Sequence, residues 1–459
     1  MMPTENSAAP AKPSRPLLLR GGTILTMDAG ATVHRSGDIL IRRGRIAFVG
    51  RPVPPPETRI LDISGCIVLP GLIQGHIHLG QTFFRGLAEQ RRLLEWLRER
   101  IWPLEAAHDD ESAYWCGLLG AAECLLGGTT TIQDIGIGPG IRGLLRAITE
   151  SGLRAFAGLC LMDSGEGLPD ALRQTTDRAL AETEELGNAF DGSAGDRLRY
   201  VLNPRFILSC SDALWDGVRD LSLRRGWPVH THALEQKEET RAVREMKDGR
   251  DEIEYFADRG LLSTDLRLAH GVWLTKSHLS WMRDRRVSVV HCPSSNLKLG
   301  SGIADLIAMR RFGVPAGLGC DGAACSNHLD SFEELRLAAL LQKVKNGPES
   351  FTGLDALRLA TSEGARALGL QEQTGSLEPG KFADLVILAP DRPELWAAPQ
   401  ADPHDLVAFG ASRAAVRHVF VEGRMLVRYG QLTRLDLPQI VRESNRCLAE
   451  LIKRSGVKL

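Results

Sequence analysis

The sequence predicts an α/β fold: a (β/α)8 TIM-like barrel with a small β-sandwich domain built from both chain ends. Three observations predict it. Through the middle of the 459-residue chain, strand-length apolar runs alternate with helical stretches, which implies a parallel sheet with covering helices. About eight such units over roughly 300 residues fit a barrel. Both ends share a different texture, short strands broken by glycine turns.

The elements follow in order. Residues 1–16 carry Pro and Ser but no apolar signal-peptide segment, and read as a flexible tail. Residues 17–68 form the first part of the sandwich. There Leu17–Met27 is apolar around Gly21 and Gly22, and Asp38–Val49 alternates about the Arg43-Gly44 turn. Residues 69–370 form the barrel. Its strands and helices begin with Cys66–Gln74, Leu93–Glu99 and Glu111–Leu126. Then come Thr129–Asp134, Ile141–Glu150, Leu153–Met162 and Ala171–Leu186. The later strands are Leu198–Ile207, Pro228–His232, Leu266–His270, Val287–His291 and Val314–Gly319. Residues 371–459 complete the sandwich and add a C-terminal helix. Here Asp384–Leu388 follows a Pro-Gly turn, and Val416–Val427 folds about Glu422-Gly423.

Composition narrows the partners. Net charge is −1, so no bulk electrostatics favours nucleic acid or an anionic membrane. Apolar runs are near strand length, short of the roughly 20 residues that span a bilayer. Nine cysteines without a C-x-x-C pair suggest buried thiols in a reducing cytoplasm.

The chemistry gathers at the strand ends. Gly71-Leu-Ile-Gln-Gly-His76-Ile-His78 places two imidazoles on one side of a strand. Later ends supply His230, His232 and Glu235, then His270, then His291, then Asp321. Such imidazoles with a carboxylate suit a divalent transition metal, Zn²⁺ foremost. The ion would lower the pKa of a bound water toward about 7. Glu235, three residues past His232, is placed to take the water proton and return it to a leaving group. His270 is placed to orient that water or polarise the substrate. His230 is expected to lie buried behind His232, and His291 to contact substrate or cap its strand.

The segments PGLIQGHIHL, LLEWL, GGTTT, HTHALE, LAHG, HCPSSNLKLGSGIA, LGCDGAACSN and GSLEPGKFADLV together resemble the amidohydrolase superfamily. The resemblance is to its branch of cytosine, guanine and S-adenosylhomocysteine deaminases and triazine hydrolases, and it covers nearly the whole chain. It implies that His76, His78, His232 and Asp321 bind one Zn²⁺ per subunit, with Fe²⁺ as the alternative. It implies that Glu235 shuttles the proton, and that His270 and Asp321 position the water. Related barrels that hold two metals bridge them with a carbamylated lysine on a middle strand. No lysine lies between Lys12 and Lys237, so a mononuclear site follows. The family also implies a cytoplasmic homo-oligomer, dimer or tetramer, acting on a small molecule.

The implied reaction is attack on an sp² ring carbon bearing an amino group, with ammonia leaving. Gln81 and the pair Arg205-Phe206 resemble the base-holding residues of guanine deaminases. A Gln offers a donor and an acceptor, an Arg a donor fork, and a Phe a stacking face. Glu95 resembles the glutamate that grips the ribose hydroxyls in deaminases of 5′-modified adenosines, and Trp96 is expected to line the pocket. Those deaminases carry histidine where this chain has Arg205, so a free base and a nucleoside both stay open. A triazine hydrolase is the alternative enzyme. Such relatives can lack a glutamate at the Glu235 position, so its presence favours ammonia release. A non-catalytic scaffold would have lost ligands that are all present here.

Overall fold

The computed structural model describes residues 15–398 and 400–458; the tail expected over 1–16 lies outside them except for its last two residues. Along the chain the N-terminal strands are β1 (Leu17–Leu25), β2 (Val33–Arg42), β3 (Arg45–Gly50), β4 (Arg59–Asp62) and β5 (Ile67–Pro70). The middle strands begin with β6 (Leu72–His78), β7 (Thr129–Asp134), β8 (Arg154–Ala157), β9 (Cys160–Leu161), β10 (Leu198–Tyr200) and β11 (Asn203–Pro204). They continue with β12 (Val229–Ala233), β13 (Leu266–His270), β14 (Val287–His291), β15 (Ala316–Leu318) and β16 (Asp321–Gly322). The last four are β17 (Leu385–Leu388), β18 (Val416–Val421), β19 (Arg424–Arg428) and β20 (Gln431–Leu432). A helix over Leu437–Ser455 follows, as expected near the C-terminus.

Strands from both chain ends share one nine-stranded sheet, in the order β20-β19-β18-β17-β5-β1-β2-β3, with β4 beside β1. The middle strands pair in parallel with helices between them, which fits a TIM-like barrel. Their ladders fall into sheets of five, four and two strands rather than one closed ladder. Backbone bonds run from one sheet toward the next: Leu202 N donates to Pro228 O at 2.9 Å, and His230 N to Leu202 O at 2.8 Å. At the other side β16 pairs with β6, Asp321 opposite Ile77 and Gly322 opposite His78.

Several expectations change in detail: Leu153–Met162 divides into β8 and β9, and Leu198–Ile207 into β10 and β11. The run Cys66–Gln74 is not one strand. It breaks at Pro70-Gly71, so β5 joins the terminal sheet and β6 the parallel one. A side chain at Gly71 would sit 2.1 Å from Thr130 Oγ1, so the crossing admits only glycine. The helix expected over 171–186 starts later, at Thr176, where the Thr175 side chain accepts from Arg178 N. The terminal sheet is tied to the parallel one by a buried cluster. Arg154 on β8 donates to Asp384 Oδ2 at 3.0 Å and to Glu422 Oε1 at 3.1 Å. All nine cysteines are buried free thiols. Among the described residues no helix is long and apolar enough to cross a membrane.

Candidate active site

Alternation along β6 turns His76 and His78 to the same side, with ring centroids 5.0 Å apart. Because β16 pairs with β6, Asp321 reaches the same point. Its Oδ1 lies 3.3 Å from His76 Nε2 and 3.1 Å from His78 Nε2. His232, from β12 across the strand ends, brings Nε2 to 3.2 Å from His78 Nε2. One ligand atom from each of these four residues lies within 4.8 Å of the others.

The hydrogen bonds prepare these atoms for a cation. His230 Nδ1 donates to Arg267 O at 3.0 Å, so His230 Nε2 accepts from His76 Nδ1 at 2.7 Å. His76 Nε2 is then a lone pair, buried and without a hydrogen-bond partner. His232 Nδ1 likewise donates to Arg205 O at 2.7 Å and leaves its Nε2 for the site. Burial lowers the His76 imidazole to about 4 and holds His232 well below its ordinary value, the neutral form that binds metals. Ser295 Oγ donates to Asp321 Oδ2 at 2.6 Å. The orphaned nitrogen and the clustered donors therefore fit a divalent ion.

Glu235 and His270 stand beside this group. Glu235 Oε1 accepts from Ser301 Oγ at 3.0 Å, and Oε2 lies 3.5 Å from His270 Nε2. Burial raises the Glu235 carboxyl. His270 Nδ1 donates to Asn296 Oδ1 at 2.9 Å, which leaves Nε2 toward Glu235 and 4.0 Å from Asp321 Oδ2. Leu234, His270 and Asp321 all adopt left-handed φ values of 55°, 74° and 60°. Such strain in non-glycine residues gathers where a strand end must aim a side chain.

A cavity lies over the site. His78, His232, Glu235, His270 and Asp321 line it, together with Trp96, Arg205 and Phe206. Leu93 and Leu97 come from the same helical segment as Trp96. Over Leu97–Ile101 that segment widens into a π-turn, which lets it wrap over the site.

The remaining expected residues are placed elsewhere. Gln81 is fully buried and outside the lining; its Nε2 donates to Glu105 Oε1 at 2.8 Å and stands 3.1 Å from His78 Nδ1. Glu95 is exposed and outside the lining. His230 sits behind His76 rather than His232. His291 is buried, outside the lining, with both ring nitrogens unpartnered. Several contributors carry no signal of their own in the sequence: Glu105, Glu239, Ser295, Asn296 and Ser301. Three of them lie in the HCPSSNLKLGSGIA segment, which was the available hint.

Fold and centre together define a class: a parallel α/β protein with a three-histidine, one-aspartate metal-type site at its strand ends. The chain belongs to the Amidohydrolase family, which residues 67–426 match. It is 34% identical over 446 residues to 5-methylthioadenosine/S-adenosylhomocysteine deaminase of Pelotomaculum thermopropionicum, covering 95% of this chain and 99% of that protein. It is 35% identical over 437 residues to 5′-deoxyadenosine deaminase of Methanothermobacter thermautotrophicus, covering 95% and 98%. An adenosine deaminase structure from Xanthomonas campestris with bound zinc aligns with a TM-score of 0.87 at 29% identity, covering 95% and 98%.

Proposed function

We propose that this chain is a zinc-dependent aminohydrolase that deaminates a purine-type aminoheterocycle, a guanine-like base or a 5′-modified adenosine, and releases ammonia. The convergence of His76, His78, His232 and Asp321 with the Glu235 carboxylate carries this reading. The named substrates of the relatives support a purine-type ring. The donor set suits Zn²⁺, and Fe²⁺ satisfies it too; bound there, the ion supplies Lewis-acid activation of water. We read the parallel ladders as the eight staves of one barrel over 69–370, because backbone bonds and the β16–β6 pairing join them in sequence. We read the terminal strands as a sandwich flanking it.

The residues divide the work. Glu235 accepts a proton from the attacking water at a carboxylate oxygen and delivers it to the departing nitrogen. Its raised affinity for protons suits both halves of that transfer. Ser301 holds Oε1, so Oε2 faces the reaction. His270, fixed by Asn296, presents Nε2 to the attacking oxygen. Phe206 and Trp96 enclose the ring and exclude water. Displacement of chloride from a triazine needs less protonation of the leaving group, so a retained and oriented Glu235 favours ammonia as product.

The test is metal analysis followed by an ammonia-release assay of zinc-loaded protein on aminopurines and adenosine derivatives. Stoichiometric metal and ammonia release are expected. A protein that binds no metal, or that releases no ammonia from any aminated ring when loaded, is not this enzyme.

A further inference from the structure

Glu235 stands at a strained corner. It follows Leu234, whose φ of 55° is left-handed, a conformation that a bulky residue holds only when its surroundings fix it. Three sets of hydrogen bonds do so here. On the strand side, Trp273 N donates to Leu234 O at 3.1 Å, and Gly271 N to Ala233 O at 3.1 Å. On the loop side, Gln236 Nε2 donates to Leu299 O at 2.9 Å and to Ser301 Oγ at 3.2 Å, and Ser301 Oγ in turn donates to Glu235 Oε1. At the helix side, Glu239 Oε2 accepts from Glu235 N at 2.9 Å and from Gln236 N at 3.3 Å.

This third set goes beyond an ordinary helix cap. Glu239 is the third residue of the helix Lys237–Met246, and Gln236 is its N-cap. In a capping box the side chain at that third position satisfies the N–H of the cap residue. Here the same oxygen also takes the N–H one residue earlier, that of Glu235 itself, and the bond to Glu235 is the shorter of the two. Glu235, Gln236 and Glu239 are all buried, and a buried donor that loses its acceptor is costly. Burial and the neighbouring Glu252 push the Glu239 carboxyl well above its usual value. In its neutral form the carboxyl still offers an acceptor oxygen to both N–H groups, and it puts no second negative charge beside Glu235. The corner therefore asks for reach at position 239 rather than for charge.

We propose that Glu239 is a positioning residue for the proton carrier: it fixes the backbone at Glu235 and Gln236, and so holds the Glu235 carboxyl where the transfer occurs. The proposal rests on the deaminase reading above. Withdrawing the acceptor lets the left-handed turn relax and shifts Glu235, while His76, His78, His232 and Asp321 keep their own supports. A displacement of about 1 Å at a reacting group costs about 10²-fold in rate.

The experiment measures kcat, KM and zinc content of zinc-loaded, full-length Glu239→Asp and Glu239→Gln. The substrate is the aminopurine or adenosine derivative that the wild type deaminates fastest. Glu239→Asp keeps the carboxylate but is one methylene too short; Glu239→Gln keeps the length and an acceptor oxygen. Glu239→Asp is expected to lower kcat by about 10- to 10²-fold, with KM and zinc content unchanged. Glu239→Gln is expected to recover most of that loss. Added to Glu235→Gln, Glu239→Asp is expected to cause no further loss, because its effect runs through Glu235. Wild-type kcat in Glu239→Asp overturns the proposal. A Glu239→Gln as slow as Glu239→Asp also overturns it, and assigns the position to charge. A loss in the Glu235→Gln background as large as in the wild type overturns it too, and marks a general structural role. Each of these outcomes leaves the deaminase reading standing. A wild type that releases no ammonia sinks that reading, and this proposal with it.

Discussion

His230 Nε2 lies 2.7 Å from His76 Nδ1, and its other nitrogen is spent on Arg267 O. One imidazole thus fixes the tautomer of another, and so decides which nitrogen of His76 is offered at the strand ends. Partners of this kind commonly change metal affinity by about 10–100-fold when removed. His230→Ala is expected to weaken zinc binding by that order while the protein stays folded. Competition with a chromophoric chelator measures it, and an affinity equal to wild type would show that His76 is held without His230.

Glu235→Gln keeps the shape and the Ser301 contact but cannot carry a proton. Metal content is expected to match wild type, while turnover falls by about 10²–10⁴-fold. Elemental analysis with steady-state kinetics on one sample separates the two effects. Normal turnover would remove Glu235 from proton transfer.

Metal removal has a direction as well. Three imidazoles and Asp321 are gathered within 4.8 Å, so an ion that binds this arrangement stabilises the folded chain. At about 100 times its dissociation constant the gain is about 2.7 kcal/mol. Thermal melts after chelation are expected to shift downward and to recover on adding Zn²⁺. A melting temperature indifferent to chelator and zinc alike would count against a site in the folded chain.

Arg154 is the buried link between the two sheets, pairing with Asp384 and Glu422. Arg154→Met leaves the fully buried Asp384 without its ion-pair partner, while Glu422 keeps Arg197. Loss of one partner of a buried pair costs about 3–5 kcal/mol. Denaturant melts are expected to show a loss of that size, and a change below 1 kcal/mol would mean that the carboxylates find water instead.

Glu334 supplies the pH dependence. Its Oε2 accepts from Ser294 N at 3.0 Å, and burial pushes its carboxyl from 4.5 to about 8. The folded chain therefore holds a proton that the unfolded chain releases. Stability from this group is whole below pH 4.5 and declines as pH rises toward about 8. Glu334→Gln is expected to flatten that decline in melts taken at increasing pH; the same slope in both proteins would contradict it.

Much of this was readable in order of residues. The strands β13 and β14 end where their apolar runs end, because a buried parallel strand is a largely apolar segment between polar breaks. The three histidines and Asp321 stood out because each closes such a run. The missing lysine argued for a single metal before any geometry was known. The structure places two residues apart from the cavity that their sequence neighbours line. Glu95 stands one residue before Trp96, yet the helical turn that puts Trp96 in the cavity turns Glu95 to solvent. Gln81 follows His78 by three residues and was assigned to substrate, but it is buried against Glu105.

Local pattern was enough for the α/β class, the order of the strands and the metal-type residues. These depend on periodicity and on residue type, which a single chain displays. The partners of those residues arise only on folding. Glu105 meets Arg205 across 100 positions, Ser301 meets Glu235 across 66, and His230 meets His76 across 154. A hydrogen bond is set by distance in space, and nothing in the spacing along the chain encodes it. Which tautomer each histidine offers was therefore settled by the packing of the strand ends against one another.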